Sequence, residues 1–327
     1  MEPFPDPHPV PAAPPEVRVY EVGPRDGLQA ERTVLAPEVK VTFVRRLHAA
    51  GLRTIEATSF VSPRWVPQLA DAEQVLAGLA DLDGVRLPVL VPNVRGLERA
   101  LVAGAREVAV VVSATDSFAR ANLGTDRETA IVRAAGVVRD ARAAGLAVRG
   151  YVSMCFGDPD EGRVPVAGVV PVVHRLLELG CATVSLGDTI GVATPAHVRA
   201  LLTALAGATD RLALHGHDTY GQALANVAEA LEHGVVEIDA SAGGLGGCPY
   251  ARSATGNLAT EDLLWMLGGL GVRTGVDLGA VASTSLWMAH HLGRPSPSRV
   301  VTALTGGALR SPADADPAPA PEPRPST

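Results

Sequence analysis

Short runs of β-branched and apolar residues alternate with longer Ala/Leu-rich segments through most of this chain. Runs at 17–22, 54–58, 86–91, 107–113, 147–153, 183–186, 212–215 and 236–239 have the length and composition of strands. Helix candidates fill the gaps, near 37–50, 65–80, 94–104, 126–144, 166–179, 195–206, 219–233 and 260–270. Several of these open with a proline at a first helical position, as in Ala36-Pro37-Glu38 and Thr194-Pro195, where the missing N–H costs nothing. Eight strand–helix pairs in strict alternation predict one (β/α)8 TIM barrel over 17–275, an α/β fold. A doubly wound sheet is the alternative; eight repeats and the lack of a dinucleotide fingerprint disfavour it. Residues 276–310 are expected to form a helical extension beside or over the barrel mouth. The Pro-rich ends, 1–16 and 311–327, read as disordered tails.

Composition narrows the chemistry. The 327 residues suit a single barrel, and with 47% hydrophobic but only 4% aromatic content the core must rest on Ala, Val and Leu. A net charge of −7 argues against a nucleic-acid surface, although a local arginine or metal can still hold a small anion. Lys40 is the only lysine among 28 basic residues, and it falls in the first helix, away from any active-site loop. Schiff-base aldolase chemistry, pyridoxal phosphate and a P-loop each need such an amine in the site. Carbon–carbon chemistry here would have to use a metal instead. Cys155, Cys181 and Cys248 are too few and scattered for a disulfide framework or a thiolate zinc site, which fits a reducing cytoplasm. The first basic residue is Arg18, unlike a signal peptide or an Arg-rich presequence, and no apolar run has membrane length.

Three distant segments carry chemistry that makes sense only together. Glu21-Val22-Gly23-Pro24-Arg25-Asp26-Gly27-Leu28 offers an arginine and a carboxylate directly after an apolar run. His215-Gly216-His217-Asp218 puts two imidazoles at i and i+2, on one side of an extended strand. Gly243-Gly244-Leu245-Gly246-Gly247-Cys248-Pro249 is a glycine-dense loop with a thiol. Catalytic groups of a (β/α)8 barrel gather at the C-terminal ends of its strands. Asp26 follows strand one, Glu56 lies near the end of strand two, and His215 and His217 end strand seven. Cys248 and Asn257 follow strand eight. Strands one, seven and eight become neighbours when the barrel closes, so Asp26, His215 and His217 are expected to form a divalent-metal face. Arg25 then suggests charge stabilisation and Cys248 proton transfer.

Some roles stay open at this level. Glu56 either orients Arg25 through a bidentate ion pair or forms a purely structural one. Asp188, after strand six, either bonds a substrate hydroxyl or an outer histidine, or caps the next turn. Cys248 reads as an apolar filler or as a thiol on a mobile loop. A catalytically silent barrel is disfavoured by the joint presence of Arg25, Asp26, His215, His217, Cys248 and Asn257.

Several of these segments carry a resemblance to a known family. Residues 21–29, 58–68 (Thr-Ser-Phe-Val-Ser-Pro-Arg-Trp-Val-Pro-Gln), 185–195, 215–226 and 243–262 are similar to the motifs of the 3-hydroxy-3-methylglutaryl-coenzyme A lyases. The similarity runs from about Val17 to Leu270. The condensing synthases of the same superfamily share the barrel and metal site but lack the cysteine loop. The resemblance implies Asp26, His215, His217 and Asn257 as ligands of Mg2+ or Mn2+. It also implies Arg25 as catalytic cation, Cys248 as loop acid/base, and Glu56 and Asp188 as supporting carboxylates, with His215, Cys248 and Asp188 sharing the proton steps. An acyl-CoA substrate, a role in leucine breakdown and a homodimer follow from the same resemblance. Two stretches depart from the family pattern. Gly157-Asp158-Pro159-Asp160-Glu161-Gly162 stands where Gly-Cys-Pro-Tyr-Glu-Gly is usual, and Ser113-Ala114-Thr115-Asp116 replaces Ser-Ala-Ser-Glu. Both fall at the barrel mouth, which leaves a related, longer or branched 3-hydroxyacyl-CoA, or a condensing synthase, as the alternative.

Overall fold

Eight apolar runs form one parallel sheet, shielded on its outer face by helices as such sheets require. The computed structural model describes residues 7–8, 13–247 and 256–306. The strands are β1 Arg18–Glu21, β2 Thr58–Ser59, β3 Val89–Leu90, β4 Glu107–Ser113 and β5 Ala147–Ser153. A separate antiparallel hairpin, β6 Gly157–Asp158 and β7 Gly162–Arg163, follows β5. The sheet continues with β8 Thr183–Asp188, β9 Leu212–Gly216 and β10 Glu237–Ala240. Strand order is β1-β10-β9-β8-β5-β4-β3-β2. The two ends meet where Glu21 bridges Ile55, with Glu21 N donating to Thr54 O (3.0 Å) and Glu56 N to Glu21 O (2.8 Å). The predicted barrel is therefore the observed one, and the run expected as strand two pairs through single bridges at Thr54 and Ile55 before β2 proper.

The helices are α1 Pro37–Ala49, α2 Ala72–Ala77, α3 Val94–Val102, α4 Asp116–Leu123, α5 Arg127–Ala143 and α6 Val166–Leu179. They continue with α7 Pro195–Ala204, α8 Ala223–Glu232 and α9 Thr260–Gly269. Two boundaries differ from expectation for local reasons. Pro67 holds Val66 out of the helical region (φ −134°, ψ 80°), so 65–80 yields a 3-10 turn and then the short α2. Gly221, at φ +69°, breaks the segment from 219, and Asp218 Oδ1 accepts the N–H of Ala223 (3.0 Å) where α8 begins. The helix α4 lies in a stretch read as a connection.

Two cores result. Between sheet and helices lies an aliphatic layer including Val19, Val44, Leu47, Val110, Val148, Val152 and Val184. Inside the barrel, on the β5 face that alternates with Val148 and Val152, Tyr151 packs with Leu90 and Ala109 while Arg149 meets a set of charged groups. The extension consists of α10 Leu278–Leu292 and α11 Arg299–Thr305. Asp262 caps α11 by accepting from Ser298 Oγ (2.7 Å) and Val300 N (2.9 Å). Arg294 pairs with Glu31 after β1, and Arg299 Nη1 reaches Asp218 Oδ2 after β9 (2.5 Å), so the extension sits beside the mouth. Ahead of β1, Glu16 bridges Arg273. Most of the two expected tails lies outside the described residues. Lys40 is buried against Asp71 (2.7 Å), between α1 and the start of α2 and away from the strand ends. Among the described residues no helix is long and apolar enough to cross a membrane.

Candidate metal centre and active site

After β1 the chain makes one wide helical turn, Gly23–Gly27, in which Asp26 N donates to Val22 O (2.7 Å). The buried Glu21 carboxylate anchors that turn by accepting from Gly23 N (2.8 Å), Ala242 N (2.9 Å) and Thr260 Oγ1 (2.7 Å). Its three partners tie the turn to the segment after β10. Burial outweighs these bonds and pushes the Glu21 carboxyl up to about 7.

The turn presents Arg25 and Asp26. Arg25 divides its fork, Nε donating to Glu56 Oε2 (2.7 Å) and Nη1 to Asp26 Oδ1 (2.5 Å). Glu56 thus orients Arg25 through one bond rather than the bidentate pair considered from sequence, because Asp26 takes the other arm. Tyr151 OH also donates to Glu56 Oε2 (3.3 Å), and its ring centroid lies 5.6 Å from the Arg25 guanidinium carbon. Burial raises the Glu56 carboxyl in spite of Arg25. Burial would raise Asp26 as well, but Arg25 and the two histidines hold it down at about 2, so it is ionised.

At the end of β9 each imidazole has its Nδ1 engaged. His215 Nδ1 lies 3.1 Å from Asp239 Oδ2, and His217 Nδ1 lies 3.1 Å from the backbone oxygen of Asp188. Nε2 is the atom left on each ring. Burial and the neighbouring His215 push His217 down to about 4, which keeps it neutral and able to donate a lone pair. Burial acts on His215 in the same direction, but the bond to Asp239 and its charge prevail and raise it. Oxygen or nitrogen donors of Asp26, His215 and His217 all lie within 4.8 Å of one another.

Asn257 lies beside these groups. An antiparallel bridge to His217 fixes its backbone, and its Nδ2 donates to Asp26 Oδ2 (2.9 Å) and Leu245 O (3.0 Å). Among the described residues its buried Oδ1 has no hydrogen-bond partner. A buried amide oxygen normally finds a donor, so an orphan beside a carboxylate and two imidazoles fits a cation. Gly246 lies against this side chain; a Cβ there would come within 2.3 Å of Asn257 Nδ2, and its φ of +120° favours glycine in any case. Cys248 lies outside the described residues.

Asp188 serves the site through its backbone oxygen. Its carboxylate accepts from Val192 N (2.9 Å) and Ala193 N (3.1 Å), the turn-capping arrangement weighed from sequence, and burial raises it to about 6. The two departures at the mouth prove to be partners. Asp158 accepts from Thr115 Oγ1 (2.6 Å), Ser117 Oγ (2.8 Å) and the N–H groups of Asp160 (2.8 Å) and Glu161 (3.0 Å). Together these bonds pin the β6–β7 hairpin to the first turn of α4.

Asp239 went unnoticed in the sequence. Its signal was there: Glu237 and Asp239 stand at i and i+2 of an apolar strand, two carboxylates facing the interior. Burial would raise Asp239, yet Arg149 and His215 hold it below the usual carboxylate range.

This fold and donor set define a class, the divalent-metal-dependent (β/α)8 enzymes. The family described as HMGL-like matches residues 16–287, and the chain belongs to it. Hydroxymethylglutaryl-CoA lyase, mitochondrial, of Arabidopsis thaliana is 49% identical over 88% of this chain and 62% of its own length, so the chain spans less than two thirds of that relative. The protein of the same name from Mus musculus is 49% identical over 89% of this chain and 90% of its own. The structure of hydroxymethylglutaryl-CoA lyase from Pseudomonas aeruginosa matches with a TM-score of 0.88 at 44% identity, covering 91% of this chain and all (100%) of that one. An HMG-CoA lyase from Acinetobacter baumannii, solved with coenzyme A and 3-methylmalate, matches at TM-score 0.85 and 34% identity, over 95% of this chain and 100% of that one.

Proposed function

We propose that this chain cleaves 3-hydroxy-3-methylglutaryl-coenzyme A to acetoacetate and acetyl-coenzyme A, using Mg2+ or Mn2+ held by Asp26, His215, His217 and Asn257. The observation that carries the reading is the donor cluster itself, closed by the orphaned Asn257 Oδ1 and flanked by Arg25. Hard divalent cations favour oxygen with some imidazole. Bound there, such a cation supplies a Lewis acid that lowers the pKa of the substrate's tertiary hydroxyl and orients it.

The chain's own residues do the rest. Loss of the hydroxyl proton allows C2–C3 to break, C3 becoming the ketone of acetoacetate and C2 the enolate carbon of acetyl-coenzyme A. Arg25, steadied by Glu56 and Asp26, neutralises the enolate oxygen as charge gathers there. Cys248, which follows β10 in the sequence, returns a proton to the enolate carbon. With both ring nitrogens of His215 committed, Nδ1 to Asp239 and Nε2 to the cation, the hydroxyl proton goes to the Cys248 thiolate or to the Asp188 carboxylate, which is engaged by two backbone N–H groups and is the weaker candidate. A homodimer, a cytoplasmic location and a place in leucine breakdown belong to the same reading, by likeness to the family.

Acetoacetate release by chelator-stripped protein, with and without added Mg2+ or Mn2+, tests it. Turnover restored by metal is the expected result. Absence of product from protein that binds Mn2+ would reject this substrate and favour a related, longer or branched 3-hydroxyacyl-CoA. The specific ground for that second reading is the Thr115–Asp158 pair, which occupies the mouth where the family pattern differs.

A further inference from the structure

The barrel interior beneath the donor cluster holds a charged stack that the proposed chemistry does not use. Arg149 on β5 reaches across to β10, Nη2 donating to Asp239 Oδ1 (2.5 Å) and Nη1 to Glu237. Its guanidinium carbon lies 3.9 Å from the centroid of Tyr20 and 5.2 Å from that of Tyr151. The other oxygen of Asp239 accepts from Ser185 Oγ (2.9 Å) and faces His215 Nδ1 (3.1 Å). Arg149 is 3% and Asp239 1% exposed.

We infer that Asp239 is a positioning residue for His215, and that Arg149 holds Asp239 in the orientation this requires. The inference rests on the proposed role of His215 as a metal ligand. An ionised carboxylate only accepts hydrogen bonds, so His215 must carry its proton on Nδ1 and offer the Nε2 lone pair to the cluster. His217 receives the same instruction from a neutral backbone oxygen, and therefore only His215 depends on a side chain for its tautomer. Arg149 matters because its two arms distinguish the oxygens of Asp239. One oxygen is committed to the guanidinium, and the other is left for Ser185 and the imidazole.

That asymmetry makes a sharp test. In Asp239→Asn, the amide oxygen turns to Arg149 and the NH2 to Ser185 and His215. The imidazole must then accept at Nδ1 and carry its proton on Nε2, where it blocks the cation. Titration of metal-free protein with Mn2+, followed by electron paramagnetic resonance in the absence of substrate, should give about 10–100-fold weaker binding. Glu237→Gln disturbs the same buried stack without touching His215 and should bind Mn2+ as wild type does. Equal losses in the two variants would mean a merely structural cluster and would overturn the inference. If Asp239→Asn does not fold, 15N chemical shifts of His215 in the metal-free wild-type protein, recorded at a pH high enough that the ring carries one proton, decide: Nδ1–H supports the inference, Nε2–H rejects it. His217→Ala serves as the reference. Unchanged Mn2+ binding there would sink the metal reading itself, whereas loss there with normal binding in Asp239→Asn would sink the positioning role alone.

Discussion

Replacing Arg25 by Gln removes one charge from the centre of the site. In the intact protein that charge meets Glu56 at 2.7 Å and Asp26 at 2.5 Å, with only 7% of its own side chain exposed. Two consequences separate. The first concerns rate: a donor aimed at developing oxyanion charge contributes about 2.7–4 kcal/mol to the transition state, so kcat should fall by about 10²–10³-fold or more. The second concerns stability. Breaking a buried ion pair from one side typically costs about 3–5 kcal/mol, but Glu56 already sits above its usual carboxylate range and can take up a proton when its partner leaves. The double variant Arg25→Gln/Glu56→Gln should therefore recover much of the lost stability and none of the lost rate. Steady-state acetoacetate release, thermal melting and Mn2+ titration separate the three quantities. Asp26 loses one hydrogen bond but keeps its position through Asn257, so Mn2+ affinity should stay within a few-fold of wild type. A variant that turns over within tenfold of wild type would refute the role assigned to Arg25. One that loses Mn2+ binding altogether would mean that Arg25 assembles the site rather than acting in it.

Asp158→Ala strips Thr115 and Ser117 of their common acceptor and weakens the link between the β6–β7 hairpin and α4, where Ser117 N still donates to Glu161 Oε1 (2.7 Å). The measured KM for the acyl-CoA should rise several-fold with kcat held within about threefold; an unchanged KM would remove the hairpin from substrate binding. Glu261, which accepts from Gly243 N (2.9 Å) and Ser285 Oγ, is raised by burial from 4.5 to about 7. The folded protein thus holds this proton more tightly than the unfolded chain does. Its stabilising contribution is complete below pH 4.5 and is lost as pH rises through 7, a change of up to about 3 kcal/mol. Glu261→Gln cannot titrate, so its melting temperature should decline less between pH 5 and 8 than that of wild type. Parallel curves would contradict the assignment.

Much of the site was legible before any fold was known. Arg25, Asp26, His215 and His217 declared themselves because strand ends in a (β/α)8 barrel converge, and an i, i+2 pair in a strand keeps one side. Asn257 was placed at the mouth by its position after strand eight, but its role as a ligand came only from the family resemblance; the lack of a partner for its oxygen among the described residues is a fact of packing. Asp158 looked like a simple change of acyl specificity, and its bonds to Thr115 and Ser117 appear only when the hairpin folds back on α4. The helix α4 itself was missed, being only 8 residues long and set within what reads as a connection.

The chain's alternation of β-branched runs and Ala/Leu segments by itself determined the barrel, because a two-sided buried sheet and one-sided helices each demand their own period of apolar residues. That in turn determined which residues could reach the mouth. Only the tertiary structure decided the interior. Arg149 and Asp239 stand 90 positions apart, on strands that are not neighbours in the sheet, and neither has a local partner that would betray its purpose. Their pairing is a product of barrel closure, which brings opposite walls within reach of one side chain and excludes the water that would otherwise satisfy both charges.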